Sequence, residues 1–327
     1  MRRRRFIPAV GVALATVLPY PGRAQKATVP VIGYLRTVEP TPETLRAFTD
    51  GLAQAGYVEG KTVRIEHRFA DGRYDRLPAL AAELVRAKVD VLVTTGGTTT
   101  ALAAKTATGT IPIVALMGFD PMSVGLATSF SHPGGNVTGV AQLVNIADGK
   151  RLEFVHAIVP AARTVAYLTN PELPYAKRQI DDIADKARGL GVELAVLKAS
   201  DEAGLDAAFA AIDRDRIGAL VVGADPFFFA ARGSLVARSN RRALPTIYFF
   251  REFAAAGGLA SYGTDLRDGY RALAPYVAKI LKGAKPADLP IAQQSERIEL
   301  VVNLKTAREL GIPIPTDLLA RADEVLE

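Results

Sequence analysis

The sequence has no cysteine and only three histidines among its 327 residues. The absence of cysteine excludes disulfide bonds, thiolate metal sites and cysteine nucleophiles. The histidines are isolated from one another: His67 falls on a predicted strand, His132 in a turn and His156 on the polar face of a predicted helix. Scattered single histidines form neither a metal-ligand cluster nor a catalytic triad, so we expect no metal site.

Motifs for nucleotide binding and for hydrolysis are also missing. Residues 96–101, GGTTTA, lack the second glycine and the lysine of a phosphate loop. The Gly-x-Gly-x-x-Gly fingerprint is absent there and after the first predicted strand. Residues 259–263, LASYG, fail the nucleophile-elbow pattern at its first position. We therefore predict no cofactor, no catalytic residues and no enzyme activity.

The N-terminal segment is predicted to be an export signal. It begins MRRRR, continues with a short apolar stretch and reaches Gly22-Arg23-Ala24, which places small residues at the −3 and −1 positions of a cleavage site. The apolar stretch is shorter than the roughly 20 residues that a spanning helix needs. We read residues 1–24 as a cleaved signal peptide, which predicts a periplasmic protein.

Removal of this segment changes the charge of the chain. The sequence has 40 basic and 34 acidic residues, and residues 1–24 hold five arginines and no acid. The remaining chain is close to neutral, with 35 basic and 34 acidic residues. Its charge therefore gives no support for a nucleic-acid partner.

Short β-branched runs alternate with amphipathic helical patterns from residue 31 onward. One set of runs begins at residues 31, 63, 89 and 111, and a second set begins at residues 165, 192, 217 and 244. Strands that alternate with helices form parallel sheets. The repeated spacing predicts an α/β protein with two Rossmann-like lobes.

The tail is longer than two simple halves require, which predicts that the chain recrosses between the lobes. We assign residues 29–142 and about 263–289 to the first lobe, and residues 143–262 and about 290–327 to the second. Within the tail, Pro275 should kink a helix or mark a new start. Residues 315–325 are predicted to form a terminal helix.

Ligands of open parallel sheets bind beyond the carboxyl ends of the strands. In this sequence those ends carry polar groups beside aromatic residues or glycines, although aromatics make up only 7% of the chain. This clustering predicts a cleft for a small amphipathic molecule. The alternative is that the aromatics, above all Phe227–Phe229, belong to the core beneath the loops. The candidate ligand-binding residues are Tyr34, Thr95, Gly96, Gly97, Thr98, Thr99, Asp120, Asn170, Asp225, Phe227, Phe250 and Glu252.

Residues 93–105, VTTGGTTTALAAK, pass from a strand through two glycines into a helix. Free N–H groups and the helix dipole favour an anion at such a start. The segment lacks a phosphate-loop lysine, so a carboxylate fits it, with Thr98 or Thr99 as the N-cap. An ordinary capped helix is the alternative.

These candidates divide into three roles. Residues 95–99 would hold the carboxylate, Asp225 or Asp120 would take an amine if the ligand has one, and the aromatic candidates would pack against its body. The body-packing residues are Tyr34, Phe227 and Phe250.

Several motifs resemble one family. Residues 57–61 (YVEGK), Asp120-Pro121, residues 132–139 (HPGGNVTG) and residues 299–307 (ELVVNLKTA) are similar to the ABC transporter substrate-binding family related to tryptophan/tyrosine-type binding proteins. The resemblance spans nearly the whole mature chain. It implies the type I periplasmic binding fold, in which two lobes joined by crossover hinge strands close on a ligand.

For the site, the resemblance implies ligand contacts at Thr95–Thr99, Asp120, Asn170 and Asp225. Family members differ in ligand, so it does not transfer an aromatic amino acid to this chain. We predict a monomeric periplasmic solute-binding protein of an ABC importer, working with an ABC permease in the inner membrane. Its ligand is a small carboxylate-bearing, aromatic or apolar amino acid or organic acid. The alternatives are a sensor-type module for a receptor and, less favoured because base and nucleophile are missing, an exported α/β hydrolase or transferase.

Overall fold

The apolar runs of the sequence form the strands of two separate sheets in the computed structural model, which describes residues 29–294 and 298–327. The predicted signal peptide, residues 1–24, lies outside the described residues. The strands are β1 (Val31–Arg36), β2 (Arg64–Phe69), β3 (Val91–Thr95), β4 (Ile113–Met117), β5 (Val137–Ala141), β6 (Thr164–Thr169), β7 (Glu193–Lys198), β8 (Ala219–Val222), β9 (Thr246–Tyr248), β10 (Ala260–Thr264), β11 (Ala292–Gln293), β12 (Ile298–Asn303) and β13 (Glu324–Leu326). The α-helices are α1 (Pro42–Gln54), α2 (Leu77–Arg86), α3 (Thr98–Ala107), α4 (Asp148–Ile158), α5 (Ala176–Leu190), α6 (Glu202–Asp215), α7 (Pro226–Ala230), α8 (Arg232–Asn240), α9 (Arg251–Ala255), α10 (Leu266–Leu281), α11 (Leu304–Leu310) and α12 (Thr316–Leu319).

The first lobe is built on a six-stranded sheet of order β11-β5-β4-β3-β1-β2, in which the strand pairs are parallel. Strands β3, β4 and β5 are buried along their whole length because helices cover both faces. Residues of alternating parity face opposite sides: Val91 and Val93 pack with α1 and α10, whereas Leu92 packs with α2 and α3.

The second lobe is built on a seven-stranded sheet of order β13-β12-β10-β9-β8-β6-β7. Its pairs are parallel except β10 with β12, which is antiparallel. Two apolar clusters cover its faces, one around Phe209, Leu220 and Phe253 and the other around Val165 and Ile247. Together the two sheets confirm the predicted α/β class with two Rossmann-like lobes.

The chain passes between the lobes three times: between β5 and α4, between β10 and α10, and between β11 and β12. Arg151 of α4 forms hydrogen bonds to the chain at both of the first two crossings. Its guanidinium is buried, donates to the backbone carbonyls of Val144 and Tyr262 at 2.9 Å each, and pairs with Asp148. A buried side chain of the second lobe therefore holds these two crossing segments in place.

One prediction about the tail is wrong. The predicted terminal helix over residues 315–325 is only the short α12, followed by β13. The chain extends there because its backbone pairs with β12, with Val325 opposite Val302. At Pro275 no new helix starts, since α10 runs through this residue and is held by Tyr270, Leu273 and other buried residues against the first lobe. A kink at Pro275, the other predicted outcome, stays a prediction.

Within residues 29–294 and 298–327, no helix is both long enough and apolar enough to cross a bilayer.

Candidate functional site

A cavity lies between the lobes at the carboxyl ends of their strands. The first lobe contributes the end of β1, the start of α1, the β3–α3 turn and α10, and the second contributes the segments after β8 and β9. Five aromatic side chains form much of its wall. They are Tyr175, Phe229, Phe249, Phe250 and Tyr270.

The cleft is closed in this structure because side chains of the two lobes touch. The hydroxyl of Tyr74, in the first lobe, donates to Asp225 Oδ2 in the second at 2.6 Å. The ring of Phe119 stacks on that of Tyr175 with 4.2 Å between centroids and 8° between planes. Gly97 faces Pro226 so closely that a Cβ atom would lie 3.1 Å from its Cγ.

Arg36, the last residue of β1, places a buried positive charge at the cavity. It is 2% exposed and lies on the cavity wall. Its Nη2 donates to the hydroxyl of Tyr270 at 2.6 Å, and its guanidinium lies 5.3 Å and 5.0 Å from the ring centroids of Tyr34 and Tyr270. Among the described residues, neither Nε nor Nη1 has a hydrogen-bond partner. A buried cation with unpaired donors is costly, and an anion in the cavity would remove that cost.

Asp225 lies opposite, at the end of β8, and serves as the N-cap of α7. Its Oδ1 accepts from the backbone N–H groups of Phe227 at 2.8 Å and Phe228 at 3.4 Å, and from Asn170 Nδ2 at 3.4 Å. Its Oδ2 accepts from Tyr74. Burial raises the pKa of Asp225 to about 6, against the lowering effect of these donors.

The turn between β3 and α3 differs from the prediction. The N-cap of α3 is Gly97, and neither Thr98 nor Thr99 caps the helix with its side chain. Both glycines have left-handed backbones, with φ of 79° at Gly96 and 97° at Gly97. This path makes Thr98 the first helical residue and turns its hydroxyl inward, where it accepts from the backbone N–H of Phe119 at 3.1 Å.

Four of the twelve predicted residues line the cavity: Gly96, Gly97, Asp225 and Phe250. Three others lie directly behind its wall. Tyr34 is buried and stacks on Phe48, the Thr95 hydroxyl lies 3.4 Å from the Tyr34 hydroxyl, and Asn170 contacts Asp225.

The remaining five are not among the residues that line the cavity. Thr98 and Thr99 belong to the first turn of α3, and Asp120 accepts from the Met122 backbone N–H in an external turn. Phe227 is half-buried and packs at the edge of the second lobe's core. Glu252 lies in a separate charged depression with Arg251, Asp265 and Arg267, where burial raises its pKa.

The most informative residue of the cavity was not among the predicted ones. Arg36 had a sequence signal: it is the one charged residue of the strand VIGYLR. Tyr270 and Asn145 had none, because their position depends on where the chain crosses between the lobes. The described residues include no group of three or more His, Asp or Glu side chains that could hold a metal ion.

Comparison with known proteins identifies the family. Residues 40–326 match the family described as "ABC transporter substrate binding protein". This chain belongs to that family. It is 27% identical, over 268 residues, to a protein named tyrosine-binding protein from Clostridioides difficile (strain R20291), covering 82% of this chain and 76% of that protein.

Solved structures agree with this assignment. A conserved domain protein from Vibrio cholerae is 28% identical with a TM-score of 0.83, and an ABC domain from Streptococcus pneumonia in complex with L-Trp is 26% identical with a TM-score of 0.79. Each comparison covers 91% of this chain and 99% of the other. Periplasmic binding proteins at lower identity share the fold. The predicted family and the type I periplasmic binding fold are confirmed.

Proposed function

We propose that this substrate-binding protein captures a small carboxylate with an aromatic or apolar body and delivers it to an ABC permease for import. The observation that carries the proposal is Arg36, a residue of the cavity wall whose buried guanidinium has two nitrogens without a hydrogen-bond partner among the described residues. Charge-assisted hydrogen bonds from a guanidinium to a carboxylate are among the strongest in proteins. The family, and the names of two relatives that refer to tyrosine and L-Trp, support an aromatic solute.

The two lobes would contact different parts of the ligand. The carboxylate would lie between Arg36 and the Gly96-Gly97 turn of the first lobe, where the N–H groups at the start of α3 add a favourable field. The body would pack against Phe229 and Phe250 of the second lobe. Such a ligand stabilises the closed form over the open one and shifts the population toward closure.

Export to the periplasm and a monomeric state complete the proposal. The Arg-rich segment 1–24 supports export, and a permease in the inner membrane would receive the closed, loaded form. A cavity that closes within one chain needs no second copy to complete it.

A thermal-shift assay tests the proposal. The chain is stripped of ligand by unfolding and refolding, and is then melted with 3-phenylpropionate, phenylpyruvate, L-phenylalanine, L-tyrosine and L-tryptophan. At least one compound should raise the melting temperature in a concentration-dependent way. Arg36→Met should abolish the shift, because it removes the charge and keeps a long side chain.

The matched control is Arg64→Met, which removes an arginine whose side chain is 62% exposed on β2. It should leave the shift intact. The proposal is wrong if no compound shifts a natively folded protein, or if Arg36→Met responds as the wild type does.

A further inference from the structure

Two side chains of the first lobe reach across the cleft beside the cavity. They are Tyr74, which lies just before α2, and Phe119, which follows β4. The Tyr74 hydroxyl donates to Asp225 Oδ2 at 2.6 Å, and the ring of Phe119 stacks on that of Tyr175. Asp225 and Tyr175 belong to the cavity wall, whereas Tyr74 and Phe119 are not among the described residues that line it. A bound solute would therefore contact the partners of these two side chains and not the side chains themselves.

The segment between β6 and α5 adds an apolar contact between the lobes. Leu173 and Tyr175, with Ala176 at the start of α5, belong to the second lobe but are buried in the apolar cluster of the first. Phe119 is a member of the same cluster. Separation of the lobes would return this apolar surface to water, which is unfavourable.

The hydrogen bond from Tyr74 is charge-assisted at neutral pH. The pKa of Asp225 is about 6, so its carboxylate is ionised there and accepts the bond as a charged group. Hydrogen bonds to charged groups contribute more than those between neutral groups. The ring of Tyr74 is buried in the core of the first lobe, while Asp225 moves with the second. The bond therefore breaks when the lobes separate.

We propose that Tyr74 and Phe119 are positioning residues that hold the loaded cleft shut and set how long a solute stays bound. The inference rests on the proposed function. Because their contacts exist only while the lobes are together, they stabilise the closed form over the open one without touching the ligand. Loss of either contact speeds reopening and leaves the encounter of the solute with the open form unchanged. The dissociation rate should rise, and the association rate should not fall.

Stopped-flow fluorescence at neutral pH measures both rates. The chain contains no tryptophan, so the indole fluorescence of L-tryptophan or of indole-3-propionate reports on the probe alone. Tyr74→Phe keeps the ring and removes the bond to Asp225. It should raise the dissociation rate of a bound probe at least about tenfold, the effect of losing one hydrogen bond to a charged group. Phe119→Leu keeps an apolar side chain without the stacked ring, and should raise the rate about two- to tenfold.

Each variant has a matched control in the first lobe. Tyr276→Phe also removes a tyrosine hydroxyl, one bonded to the Pro290 carbonyl just before β11 of the first sheet. Phe69→Leu also removes an aromatic ring, one that contacts the ring of His67 on the same strand. Both controls should leave the two rates unchanged, because neither contact crosses the cleft.

A second measurement needs no ligand. The chain has no cysteine, so dyes attach only at introduced positions. Thr106→Cys on α3 and Ala207→Cys on α6 provide two exposed positions on helices of different lobes. Energy transfer between the dyes then reports the distance between the lobes. Tyr74→Phe and Phe119→Leu should shift the ligand-free protein toward the open form.

The outcomes distinguish two failures. If a probe binds and leaves both variants at the wild-type dissociation rate, the inference is overturned and the proposed function stands. A slower association with an unchanged dissociation rate also contradicts the inference, because that pattern indicates damage to the open site. A natively folded wild type that binds no aromatic carboxylate overturns the proposed function. Energy transfer then decides the inference, which fails if the variants match the wild type.

Discussion

Replacement of Asp225 by asparagine should stabilise the folded protein at neutral pH. Asparagine is nearly isosteric, keeps an oxygen to cap α7 and carries no charge. The pKa of Asp225 rises from its ordinary value of 3.8 to about 6 because burial disfavours the ionised form. That difference in pKa corresponds to about 3 kcal/mol. The free energy of unfolding of the wild-type protein falls by this amount when the carboxylate is ionised in its buried position.

The pH dependence follows from proton counting. Between the two pKa values the unfolded chain has released the proton of Asp225 while the folded protein still holds it, so the wild-type free energy of unfolding falls as the pH rises. This loss is absent below about pH 4 and complete above about pH 6. Asp225→Asn should therefore match the wild type at low pH and exceed it by up to about 3 kcal/mol at neutral pH.

Urea unfolding followed by far-ultraviolet circular dichroism, at pH 4 and pH 7.5, measures the free energy of unfolding of each variant and its change with pH. Asp201→Asn is the matched control: Asp201 also caps a helix in the second lobe, with its Oδ1 2.7 Å from the Gly204 nitrogen, but is exposed to solvent. It should change the free energy of unfolding by less than about 0.5 kcal/mol at either pH. A loss of stability in Asp225→Asn at pH 7.5, or an equal effect at both pH values, would refute the reasoning.

Three further substitutions test contacts that stabilise the elements around the cavity. Thr98→Val should lower the free energy of unfolding by about 1–3 kcal/mol in urea titrations, because the Phe119 N–H loses its buried acceptor; no change would mean that this bond contributes nothing. Gly139→Ala should reduce the yield of soluble protein or lower the free energy of unfolding by more than about 4 kcal/mol, since φ is 134° and a Cβ atom would overlap the backbone of β4. A normal melting curve would contradict that packing. Arg151→Met should lower the free energy of unfolding by about 3–5 kcal/mol, because Asp148 is left as a buried unpaired charge. Calorimetry that finds no loss would show that the contacts of Arg151 are dispensable.

The family motifs and the strand–helix rhythm were sufficient to predict the two-lobed fold. Each strand and helix needs one face to be buried. The residues of the element itself show this requirement, as in the fully apolar run of β4 or the spaced leucines of α2. The carboxyl ends of the strands could also be located, and the cavity lies there. Four predicted residues line it, while the roles assigned to them as ligand contacts stay predictions.

Only the tertiary structure decided how the side chains of the site meet. Arg36 and Tyr270 are 234 residues apart, and their contact exists because the chain returns from β10 to place α10 on the first sheet. The sequence predicts Thr98 or Thr99 as the N-cap of α3, but two left-handed glycines turn the hydroxyl of Thr98 into the core. Local patterns encode burial and hydrogen-bonding capacity, which depend on the residue itself; partners in a closed cleft depend on where distant segments are brought together, and no local pattern records that.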